Sequence, residues 1–221
     1  MKLIFFLLLA LFATQQGFAF PQEEVKSLPG LSGKLPFRQY SGYLDGSKGR
    51  NLFYWMFEST NNATTDPVVL WLNGMYNVTE TTLLLIDWLC HLGGPGASSI
   101  GSGTFAENGP FRVKSDGKTL EHDKYSWNRF ANMLYLESPV NVGFSYNSSH
   151  LAEVDMYNDE AATDAKYNAL VSFFKKFPHL KKNKFYMTGN WLIKKNNSIH
   201  FNQLLQYFYQ AKATVGCICP C

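Results

Sequence analysis

A strand, a long amphipathic helix and a second strand follow one another in this chain, and that order limits the fold more than any other feature. Met133–Leu136 and Phe185–Thr188 are short apolar runs of the kind that form strands. From Asp155 to Phe177, apolar residues recur at Ala161, Ala165, Ala169, Phe173 and Phe177, which places them on one helical face. Acids come early in this stretch, Lys175-Lys176 come late, and Pro178 is the stop. A helix of this length between two strands makes a crossover, so the strands run parallel. Further strands are expected at Leu52–Phe57 and Val68–Leu72. The expected class is α/β, with a mostly parallel sheet flanked by helices.

With 46% hydrophobic and 17% charged residues, the chain has material for a core and none of the composition of a disordered segment. Its net charge of +3 comes from scattered residues and gives no support to a nucleic-acid partner. The one basic cluster, Lys175-Lys176 with Lys181-Lys182, is expected to be a solvated helix end. At the start, Met1-Lys2, an apolar run from Leu3 to Ala13 and the small-residue exit Gly17-Phe18-Ala19 predict a secretory signal over residues 1–19. The apolar run is too short for a bilayer core of about 30 Å, so no membrane anchor is expected once the signal is removed. Asn62, Asn77, Asn147 and Asn196 head Asn-x-Ser/Thr sequons and are candidate glycan sites on that route. Cys90 stands alone while Cys217, Cys219 and Cys221 crowd the end, and no disulfide framework is evident. Three cysteines so close together, with no histidine paired to them, do not match a zinc knuckle, and no metal or other cofactor is expected.

Lys184-Phe185-Tyr186-Met187-Thr188-Gly189 reads as a buried strand arriving at a nucleophile elbow. Earlier in the chain stand Ser41-Gly42-Tyr43-Leu44, Leu52-Phe53-Tyr54-Trp55 and Val69-Leu70-Trp71-Leu72-Asn73-Gly74. After these come Gly94-Pro95-Gly96-Ala97-Ser98-Ser99, Glu107-Asn108-Gly109-Pro110-Phe111 and Val142-Gly143-Phe144-Ser145-Tyr146. In this order the motifs resemble the amino-terminal portion of the serine carboxypeptidases, from about Leu35 to Gly189. The resemblance implies an α/β-hydrolase fold and hydrolysis of C-terminal residues from peptides. It implies Gly94 as an oxyanion-hole donor, since glycine lets an N–H approach the scissile carbonyl closely. It also implies a site for the peptide's free carboxylate at Trp71, Asn73, Gly74 and Glu107. A glutamate facing a carboxylate is tolerable when one of the two is protonated, so binding is expected to favour acid pH. A lysosomal or extracellular destination follows, and the sequence carries nothing on oligomeric state.

The chain departs from the family pattern in three places. Residues 75–93 interrupt the signature between Gly74 and Gly94, and their apolar stretch Leu83 to Leu92 is unlike a surface loop. Excising them restores the unbroken motif, which suggests a retained intron or a gene-model error. Ala97 replaces the usual cysteine. Where the family continues Gly-Glu-Ser-Tyr, this chain has Gly189-Asn190-Trp191-Leu192, and residues 190–221 do not follow the family. Trp191 at the nucleophile position predicts an inactive chain, with no aspartate and histidine to complete a triad. Ser145 sits in an incomplete Gly-x-Ser-x-Gly and is expected to be structural, while His179 and His200 lack the spacing of a triad and are expected to be structural or exposed. The alternative readings are a secreted pseudoenzyme that binds without cleaving, or an unproductive splice or gene-model product.

Overall fold

The computed structural model describes residues 23–73, 98–149 and 159–190. The signal, the 75–93 segment and the tail after Asn190 lie outside them, as do Gly74, Gly94, Asn77, Asn196, Trp191, His200 and all four cysteines.

The main sheet contains β1 (Gln39–Asp45), β2 (Arg50–Phe57), β3 (Val68–Asn73), β6 (Asn132–Leu136), β7 (Tyr146–Asn147) and β8 (Phe185–Asn190). Its order is β1-β2-β6-β3-β8, with β7 pairing onto β2. A separate hairpin joins β4 (Phe111–Val113) to β5 (Leu120–His122). The expected crossover is present. β6 and β8 both run parallel to β3, and the single α-helix among the described residues, α1 (Asp159–Lys176), connects them across it. The sheet is mixed rather than mostly parallel, because β1–β2, β2–β6 and β2–β7 are antiparallel. Tight turns such as Gly46–Gly49, with Ser47, Lys48 and Gly49 at positive φ, allow antiparallel neighbours without a crossover.

Alternation along the strands builds two cores. Val68, Leu70 and Leu72 face α1 together with Leu134, Leu136, Leu52, Tyr54 and Met56, where they meet Ala165, Ala169, Phe173 and Phe177. These are four of the five residues that define the helical face in the sequence. Val69, Trp71, Met133, Tyr135 and Phe57 point the other way, onto Ile100 and Phe111. β3 and β6 therefore read as continuous apolar runs, since both of their faces are covered.

Lys176 departs from the expected solvated helix end. Its Nζ donates to both carboxylate oxygens of Glu23 at 2.8 Å and to Tyr43 O at 3.2 Å. Tyr54 Oη donates to the same carboxylate at 2.7 Å. Glu23 belongs to a segment that pairs with the edge of β1, through Ser41 N–H to Glu23 O at 3.0 Å and Val25 N–H to Gln39 O at 2.9 Å. Lys175, Lys181 and Lys182 are exposed as expected.

Candidate functional site

β3 ends at Asn73, and the chain returns at Ser98 to begin a wide, π-type helical segment, Ser99–Glu107. Ser98 caps that segment, its Oγ accepting from Gly101 N–H at 2.9 Å. The segment crosses the carboxyl ends of the parallel strands and carries Glu107 back to Asn73. There, Asn73 Nδ2 donates to Glu107 Oε1 at 3.1 Å, and Trp71 Nε1 donates to Asn73 Oδ1 at 3.0 Å. The Asn73 backbone N–H donates to Ser99 Oγ at 3.1 Å. Three of the four residues expected to bind a carboxylate, Trp71, Asn73 and Glu107, are thus joined in one hydrogen-bonded chain. The fourth, Gly74, lies outside the described residues.

The amide of Asn73 has one orientation that satisfies both neighbours. Its oxygen faces an indole N–H, and its nitrogen faces a carboxylate. Reversal would set donor against donor and acceptor against acceptor. Beneath the site, Tyr135 Oη donates to Asn108 Oδ1 at 2.8 Å. Burial, together with the nearby charge of Glu107, pushes the Tyr135 hydroxyl well above its ordinary pKa, so it stays protonated. Arg112 donates to Glu107 O at 2.6 Å and pairs with Asp123 at 2.6 Å, which ties the end of the segment to the β4–β5 hairpin.

Sequence reasoning passes over a second carboxylate. Glu137, 1% exposed at the end of β6, accepts the Phe144 N–H at 2.6 Å and the Ser98 hydroxyl. It joins the start of the helical segment to the loop after β6. Gly143 there has φ +53°, and a Cβ would lie 2.1 Å from the Glu137 carboxylate oxygens. The signal for this pairing is Glu137-Ser138-Pro139 at a strand end, which is hard to distinguish from an ordinary turn.

Ser145 is structural, in accord with its reading. Its Oγ donates to Glu137 O at 2.7 Å and accepts from Phe53 N–H at 2.8 Å. His179 lies in the short helical turn Pro178–Lys182 that feeds the amino end of β8, at the opposite end of the sheet from Asn73. β8 itself arrives where an elbow is expected, with Asn190 in register beside Asn73. Of the sequons, Asn62 is exposed and Asn147 has its Nδ2 buried without a hydrogen-bond partner. Among the described residues no group of three metal-ligating side chains occurs, and no helix is long and apolar enough to cross a membrane.

The family model of the serine carboxypeptidases matches residues 29–74 and 77–191. Lysosomal protective protein of Mus musculus is 42% identical over 183 residues, which is 83% of this chain and 34% of that protein. Serine carboxypeptidase-like 27 of Arabidopsis thaliana is 41% identical over 174 residues, covering 76% of this chain and 33% of its own length. The chain spans about a third of the length of these curated relatives. Among solved structures, Kex1(Δ)p, a prohormone-processing carboxypeptidase from Saccharomyces cerevisiae, superposes with a TM-score of 0.64 at 24% identity. That match covers 86% of this chain and 40% of the yeast protein, and it shows the shared fold, the α/β-hydrolase fold in partial form. With more than half of its residues matched by the family model, the chain belongs to the serine carboxypeptidase family.

Proposed function

We propose that this chain recognises the free C-terminal carboxylate of peptides at Trp71, Asn73 and Glu107, with Gly74 alongside, and does not hydrolyse them. The observation that carries this reading is the Asn73 amide. It is held by the Trp71 indole and offers its N–H₂ toward Glu107 at 3.1 Å. When a peptide carboxylate enters, that amide donates to it, and one proton is shared between the ligand and Glu107. Gly94 would supply the oxyanion N–H of the family reaction, worth about 3 kcal/mol in an active enzyme. The nucleophile is the missing part. Trp191 follows Asn190 where the family places serine, and loss of that serine alone costs about 10⁶ in kcat.

The signal-like residues 1–19 direct the chain into the secretory route, toward the lysosome or the extracellular space. The test is incubation of the full chain with an N-blocked dipeptide acid and its C-terminal amide at pH 5. Thermal protection by the acid alone is expected, with no residue released above the blank. Release of the C-terminal residue would contradict the inactive reading, and equal protection by acid and amide would contradict carboxylate recognition. The competing reading of an unproductive product predicts that the chain is not secreted in soluble form.

A further inference from the structure

Trp71 can orient Asn73 as long as its own indole stays in place, and two features outside the carboxylate-binding set fix it. Against it lies Gly103, where an added Cβ would lie 2.8 Å from Trp71 Cδ1 and 3.0 Å from Nε1. Also against it is Trp127, whose ring meets the Trp71 ring edge to face, with centroids 5.5 Å apart at 82°. Trp127 is itself anchored. It opens the short helical turn Trp127–Arg129, and its backbone N–H donates to Asn108 O at 2.9 Å, one residue beyond Glu107. The same backbone that carries Glu107 therefore carries the support for Trp71.

We propose that Trp127 is a positioning residue for C-terminal carboxylate recognition. Its ring holds the Trp71 indole N–H on Asn73 Oδ1, which keeps the Asn73 amide turned with its nitrogen toward Glu107 and the incoming ligand. Without that ring the Trp71 indole gains room to tilt, its N–H leaves the amide oxygen, and Asn73 samples the orientation that presents an acceptor to a carboxylate. The loss falls on discrimination between acid and amide rather than on the fold, since Trp127 is only partly buried at the edge of its core. This inference rests on the carboxylate reading of the site.

The experiment uses the full chain, uniformly ¹⁵N-labelled, with the Trp71 indole resonance assigned through Trp71→Phe. Trp127→Leu and Trp127→Phe are compared with the parent by indole N–H shift and solvent exchange. Titration with the N-blocked dipeptide acid and its amide follows. In Trp127→Leu the Trp71 N–H is expected to lose protection, and the preference for acid over amide to fall about tenfold, as for loss of a hydrogen bond to a charged group. Trp127→Phe, which retains an aromatic edge, is expected to restore most of both. A parent that discriminates acid from amide, with Trp127→Leu unchanged in either readout, overturns the role of Trp127 and leaves the carboxylate reading standing. A parent that binds acid and amide alike overturns both. If Trp127→Leu does not fold, the Trp127→Phe comparison decides: intact discrimination with a protected Trp71 N–H supports the proposal. Lost discrimination with that N–H still protected overturns it.

Discussion

Gly103 has no side chain, and the space it leaves is filled by Trp71 and Tyr135. An added methyl would come within 2.8 Å of one ring and 2.9 Å of the other, and both rings are buried. Neither ring can move without disturbing its own hydrogen bond. Gly103→Ala is therefore expected to destabilise the chain by about 1–3 kcal/mol, the usual range for overpacking, as read by urea denaturation. His179 gives a prediction of a different kind. Burial pushes its pKa below the ordinary value, with Glu58 acting in the opposite sense and Arg38 adding to the fall. The folded state then prefers neutral imidazole. The associated stability is complete above the unfolded pKa of about 6.5 and is lost as pH falls through that value toward the folded pKa. Thermal midpoints at pH 7 and pH 5 should show a drop in the parent that is smaller in His179→Gln. A third prediction separates two sequons. Asn62 is exposed, its Oδ1 accepting from Thr64, whereas the Asn147 Nδ2 is enclosed. Expression in a secreting eukaryotic host should give a glycosidase-sensitive mass shift that Asn62→Gln reduces by one glycan and Asn147→Gln leaves unchanged.

At the scale of elements, the periodic parts of the chain were legible and the irregular parts were not. The β6–α1–β8 crossover follows from apolar spacing and a proline stop, and its helical face is the face the structure buries. The strands expected from composition end within a few residues of those observed. The segment Ser99–Glu107 escaped, because its glycines and serines carry no helical period and the wide turn is set by Ser98 and the packing of Trp71. β1 was legible as a motif rather than as a strand, and its antiparallel pairing with β2 turns on a tight loop rather than on strand composition. Site residues on β3 could be named from their motif. The contacts that orient them, from Ser99 and Trp127, come from elsewhere in the sequence, and nothing in the β3 motif points to them. The Lys176–Glu23 clasp is of the same kind, linking positions 153 residues apart. Both side chains are under a third exposed, and Tyr54 shares the carboxylate. Glu23→Gln should lower stability by about 1–2 kcal/mol in urea denaturation, a figure reduced for partial solvent exposure. Lys176→Ala alone should account for most of that loss.

Taken whole, the molecule belongs to the serine carboxypeptidase family and spans about a third of the length of its curated relatives. On the proposed reading, it keeps the part of the fold that holds a peptide's end, the joined Trp71, Asn73 and Glu107. β3 holds Trp71 and Asn73, the segment Ser99–Glu107 brings Glu107 to them, and β8 runs beside β3 with Asn190 in register with Asn73. With Trp191 next in sequence, the proposed function separates recognition from cleavage. The most direct test is the affinity of the full chain for an N-blocked dipeptide acid, measured by isothermal titration calorimetry at pH 5 and at pH 7. Two carboxylates in contact share one proton, so binding takes up a proton and weakens as pH rises, by up to about tenfold per unit. Binding at pH 5 that fades toward pH 7 is the predicted result. Affinity that is the same at both pH values, or absent at both, would contradict recognition of the peptide carboxylate at Asn73 and Glu107.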